Sequence, residues 1–201
     1  MASFLESVRA SLLRWRGEET RVRTLHGIRV VVHNTRPDIS TDAVLARIDG
    51  ALGMLEQYAP SHLRRMRRDF AEIISQRFAC RGAYFPAERR CLVELTFTVN
   101  PEFTLAQVAS VILHEAMHAR IHAMGIRTER VTRAREERFC RRAEIEFGRV
   151  APGGEPVVER ALGAIAMEDE EVAPEVDWAL AQRRIAEVDE AARRGDQARE
   201  N

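Results

Sequence analysis

Lysine is absent from this 201-residue chain, so all 31 basic side chains are arginine. A guanidinium does not give up its proton in proteins, which excludes a lysine nucleophile or a Schiff-base enzyme. Excess charge of either sign is also absent: 31 basic and 31 acidic residues leave a formal net charge of +0. That balance gives no general attraction to nucleic acid or to acidic membranes. No apolar run approaches the length of a membrane span, so no integral membrane segment is expected. The first residues carry no basic segment followed by a long apolar stretch, so the expected location is cytoplasmic. Cysteine is scarce, at Cys80, Cys91 and Cys140. An odd count without a leader points to free thiols in a reducing compartment, and the spacings match no zinc finger.

What is present suffices for a core, since 45% of the residues are hydrophobic. Phe4, Val8, Leu12 and Trp15 recur at helical spacing and predict an amphipathic N-terminal helix over residues 1–19. The β-branched run Ile28–Asn34 predicts a strand, ended by Pro37. Ser40, Thr41 and Asp42 offer caps for a helix through Tyr58, striped with Val44, Ile48, Leu52 and Leu55. Pro60 starts a short arginine-rich helix. Residues 72–84 and Cys91–Val99 both predict strands, the second from its two-residue alternation. Thr104 and Gln107 form a capping box for a helix to Met124, with Gly125 just beyond its end. Further helices are expected over residues 128–147 and 156–167. The acidic run Glu168–Glu171 reads as a linker and residues 175–192 as a last helix. Trp178, Ala181, Ile185, Val188 and Ala192 stripe that helix, for docking on its own domain or for a partner or self-association.

The chemistry lies in His114-Glu115-Ala116-Met117-His118. Residues four apart on a helix point about 40° apart and lie one turn along, so both imidazoles can meet one divalent ion. Glu115 can reach a water beside that ion and accept its proton. The surrounding helix is apolar on most sides, and two histidines and a glutamate buried there need partners, which a metal supplies. A hydrolytic zinc site wants a third protein ligand and one open position. Glu136 and Glu137 are the candidates. Glu137 is favoured because it shares its helix face with the small residues Ala134 and Cys140, which permit close approach. Glu136 shares its face with Phe139, Ala143 and Phe147, which reads as packing elsewhere. Cys140 can ligate metal, but its small size is a sufficient explanation. His122, one turn after His118, and Tyr84, on the preceding hairpin, are candidates to orient a ligand or donate to an oxyanion. His26, His33 and His62 have no link to the motif.

With its preceding strand and its downstream Glu137-x-x-Cys140, the motif resembles the gluzincin-type zinc metallopeptidases. The stretch over residues 72–148 is similar to the compact minigluzincin and ImmA/IrrE-like proteins. The pattern departs at Arg141, where several such families carry Asn or Asp. The resemblance implies an α+β zincin-like domain, a small mixed sheet packed on the metal-binding helix, over residues 20–165. A helical arm (1–19) and an acidic linker with a C-terminal helix (166–201) flank it. It further implies Zn²⁺ held by His114, His118 and Glu137, with Glu115 as general base, acting on a peptide or protein substrate. The strand Cys91–Val99 would then be the sheet edge that receives substrate. The competing expectation is a zinc-binding regulatory or interaction module with little or no proteolytic activity.

Overall fold

The β-branched run Ile28–Asn34 forms β2 over the expected residues in the computed structural model, which describes residues 19–126, 133–172 and 177–200. Before it stands β1 (Glu19–Leu25), joined to β2 by a His26-Gly27 turn with φ of +47° and +77°. Two such left-handed residues match the twist of a tight hairpin. Then follow α1 (Thr41–Tyr58), α2 (Pro60–Asp69), β3 (Glu72–Gln76), β4 (Gly82–Phe85) and β5 (Arg90–Glu94). The remaining elements are α3 (Leu95–Val99), α4 (Leu105–Ala123), α5 (Arg133–Gly148), α6 (Glu155–Ile165), α7 (Asp169–Val172) and α8 (Trp178–Glu200). The chain is mixed α+β, with one five-stranded sheet and eight helices among the described residues. None of the described helices is long and apolar enough to cross a membrane.

The sheet order is β1-β2-β3-β5-β4, antiparallel at both ends and parallel in the middle. Val30, Val32, Ile73, Cys91 and Val93 belong to the main core with α1, α2 and α4. Their alternates Val31, Ile74 and Leu92 join Phe85 in a smaller cluster, as the two-residue period of a strand requires. Phe78 packs on that cluster and meets Trp178 of α8 at 5.5 Å between ring centroids. Farther along α8, the buried Asp189 accepts from Arg77 Nε at 2.8 Å and lies 3.4 Å from Arg36 Nη1. The tail therefore docks on its own domain. Its stripe residues Trp178, Ala181, Ile185 and Ala192 are half-buried, whereas Val188 is exposed.

Five local expectations are corrected. The strand read over Cys91–Val99 stops at Glu94. The Glu94 carboxylate accepts from Phe97 N at 2.6 Å and caps α3, so Leu95–Val99 is helical. As a result β5 is flanked by β3 and β4, and the sheet edge on this side is β4. The single strand expected over residues 72–84 is two strands, separated by residues 77–81. The acidic run read as a linker contains α7, and the last helix begins at Trp178 and continues to Glu200. The N-terminal helix expected over residues 1–19 lies outside the described residues except for Glu19, which opens β1.

Candidate metal centre

Helix α4 starts where the capping box places it. Gln107 N donates to Thr104 Oγ1 at 3.2 Å, and Thr104 N donates to Gln107 Oε1 at 2.8 Å. It ends with Gly125 at φ +66°, a conformation that favours glycine. Between these stops the helix is buried on most sides, which fixes its rotation and aims His114 and His118 at α5.

His114 Nε2 and His118 Nε2 lie 3.1 Å apart. Glu137 brings Oε2 to 3.1 Å from His114 Nε2 and Oε1 to 3.6 Å from His118 Nε2. Bonds of about 2.0–2.1 Å at a tetrahedral angle separate ligand atoms by about 3.3 Å. The N–N spacing and the nearer N–O spacing lie close to that value, the two Glu137 contacts being made by different oxygens. The two Nδ1 atoms are matched as well. His118 Nδ1 meets Glu136 Oε1 at 2.7 Å, and His114 Nδ1 lies 3.0 Å from Glu144 Oε1 at ion-pair distance, without hydrogen-bond alignment. A carboxylate hydrogen-bonded to Nδ1, as Glu136 is on His118, turns the Nε2 lone pair inward and makes the ring a better ligand. Glu136 is therefore not packing elsewhere, and Phe139, expected in a core beside it, is 45% exposed.

Sequence reasoning missed Glu144. Its side chain is fully buried, and Arg141 Nη1 donates to its two oxygens at 3.0 and 3.1 Å while Arg160 Nη2 donates at 3.0 Å. The signal was present: Glu137, Cys140 and Glu144 are spaced three and four apart, which is one face of a helix. Arg141 belongs to this support.

Cys140 is fully buried on that same face. Its Sγ and one nitrogen from each of His114 and His118 lie within 4.8 Å of one another, so these three residues form a group that could hold a metal ion. Burial and the neighbouring carboxylates Glu137, Glu115, Glu136 and Glu144 push the thiol pKa far up. It is consequently no thiolate nucleophile by itself.

The metal-free electrostatics show how strongly the pocket favours positive charge. Burial opposes a charged His114, yet contacts with Glu137 and Glu144 lift its pKa to about 9. Burial likewise pushes Glu137 up, but His114 and His118 hold it at about 2. A proton here does part of what a divalent cation would do.

Glu115 is buried one residue beyond His114, and burial raises its pKa despite both histidines. Gly82, the first residue of β4, lies directly against it. A Cβ built at Gly82 would stand 2.8 Å from Glu115 Oε1 and 2.5 Å from Val111 Cγ1, so only glycine fits without movement. Tyr84 and His122 are brought to each other, at 6.4 Å between ring centroids, and Tyr84 also packs on Phe70. His122 is exposed and does not join the group around Cys140. His26 pairs with Glu56 and His33 with Thr20, away from the site. Cys80, Cys91 and Cys140 are all free.

Compared with known proteins, the chain matches no family model, no curated protein and no solved structure.

Proposed function

We propose that the protein is a zinc-dependent metallopeptidase of zincin-like fold, with His114, His118 and Glu137 as metal ligands and Glu115 as general base. The observation carrying this reading is the close approach of two Nε2 atoms and the Glu137 carboxylate, with Glu115 buried next to His114 on the same helix. The donor set of two nitrogens and one carboxylate oxygen suits zinc and leaves one position for catalysis. When bound, zinc would supply Lewis acidity, making a water acidic near neutrality and polarising a carbonyl.

The chain's own residues then have distinct tasks. Glu136 holds His118 in its ligating tautomer, and Glu144 stands at ion-pair distance from His114 Nδ1. Glu115 accepts the proton of the attacking water and passes it to the leaving amine. Its raised pKa suits both transfers. Extended peptide would lie along β4, the sheet edge that passes over Glu115 at Gly82, and add to it by backbone hydrogen bonds. Free thiols fit a reducing, cytoplasmic setting.

A second reading, a zinc-binding regulatory or interaction module, is favoured by one observation: the Cys140 thiol beside the histidines. Peptide-library hydrolysis by the zinc-loaded chain and by Glu115→Gln decides between them. The peptidase reading expects cleavage that the substitution abolishes without loss of zinc. Equal residual cleavage in both proteins supports the module.

A further inference from the structure

We propose that Cys140 is a fourth protein ligand to the metal, so that the resting site is closed and Cys140 governs access to it. The proposal rests on the metal reading above and concerns how that site is regulated.

Three independent features point the same way. The first is position. Cys140 follows Glu137 by three residues on α5, so thiol and carboxylate share the face turned toward α4, and Sγ joins His114 and His118 within 4.8 Å. The second is chemistry. Close helix approach needs only a small residue, and α5 uses alanine for that at Ala134 and Ala143. At the position facing the histidines it carries instead the one small side chain that is a strong zinc ligand. The third is charge. Within the set of four ligands, Glu137 and a Cys140 thiolate contribute two negative charges and the imidazoles none, which matches the charge of a divalent cation. Outside that set, Glu144 is paired by Arg141 and Arg160, and Glu136 stands on His118.

Four protein ligands on a tetrahedral ion leave no open position, as in structural zinc sites. The closed form would hold metal without hydrolysing peptide. Rotation of the Cys140 side chain away from the ion would restore the three-ligand arrangement. One centre could therefore pass between the two functional readings through a single thiol.

The test uses the full chain loaded with cobalt(II) in place of zinc. A thiolate on cobalt gives a near-ultraviolet charge-transfer band that nitrogen and oxygen ligands do not. The wild-type chain is expected to show the band. Cys140→Ser and Cys140→Ala should bind cobalt without it, and Cys80→Ser should retain it. By chelator competition, zinc affinity in Cys140→Ala should fall by more than the roughly 10–100-fold typical of losing an outer-shell contact. Peptide hydrolysis should be higher in Cys140→Ala than in wild type. Cobalt bound to wild type without the band, or a band that survives in both Cys140 variants, overturns the proposal and leaves the metal reading standing. A wild-type chain that binds no cobalt overturns both. The serine variant keeps the side chain's size, and the wild-type spectrum decides the matter even if the variants fold poorly.

Discussion

Replacing Glu144 with glutamine keeps the side chain's shape and removes its charge. The native carboxylate is fully buried and meets Arg141, Arg160 and His114 at 3.0 Å or close to it. Burial alone would raise its pKa, but these partners bring it from an ordinary 4.5 to about 2. At about 1.4 kcal/mol per unit, the shift corresponds to about 3 kcal/mol of folding stability in the metal-free chain. The arginine side chains are 20% and 29% exposed, so solvent screens part of it and about 2–3 kcal/mol is expected. For a chain this size that is a fall in Tm of roughly 4–12 °C. A depressed pKa fixes the pH dependence: the stabilisation is complete above about pH 5 and is lost as pH falls toward about 2. The Tm difference between wild type and Glu144→Gln, measured in chelator, should be flat from neutral pH to about 5 and shrink below. Zinc affinity, measured by competition, should fall roughly 10–100-fold, because Glu144 also stands against His114 Nδ1 at 3.0 Å. A Tm gap under about 2 °C at neutral pH, or a gap that does not change in acid, would refute this account of the α5 support.

Other perturbations separate the parts of the site. Gly82→Ala forces a methyl against Val111 and Glu115, so a loss of roughly 1–3 kcal/mol is expected in thermal unfolding. Peptide hydrolysis should be impaired while zinc affinity is kept, since neither histidine is touched. Glu137→Ala should weaken zinc binding far more than Glu136→Ala, which removes only the His118 Nδ1 partner and should cost roughly 10–100-fold; the reverse order in chelator competition would show that the third ligand is misassigned. Asp189→Ala leaves the buried Arg77 with Glu94 as its ion-pair partner and Thr96 as a neutral one, and should cost about 2 kcal/mol. Limited proteolysis should then cut near residue 172 faster than in wild type, and unchanged cleavage would contradict docking of α8 through Asp189.

The elements best legible in the sequence are those whose local signals agree with the fold. Ile28–Asn34 is β-branched and central, and it emerged over the expected residues. Ser40 accepts from Ala43 N at 3.3 Å, and α1 begins and ends as its cap and apolar stripe imply. The Thr104 and Gln107 box located α4, and with it the two histidines. The misreadings have tertiary causes. Leu95–Val99 alternates like a strand, but the Glu94 cap and the bond from Arg47 Nε to Thr98 O at 2.9 Å hold it as a helix. β1 is largely polar and half-exposed, so it carried no apolar signal, and its place depends on pairing with β2. Within the site, short-range spacing gave His114, Glu115 and His118. Glu136 and Glu144 depend on how α5 lies against α4, which no spacing within one helix reveals. Reading the face of α5 through one more turn adds Glu144 to the face of Glu137 and Cys140, but not its contact with His114.

The central claim is a metal held by α4 and α5. The most direct measurement is the metal content of the purified full chain beside His114→Ala, His118→Ala and Glu137→Ala. Stoichiometric zinc in wild type is expected, removable by chelator with a fall in Tm, and strongly reduced in all three variants. Wild-type protein that neither contains nor takes up zinc, and whose Tm is indifferent to chelator and to added zinc, would contradict it.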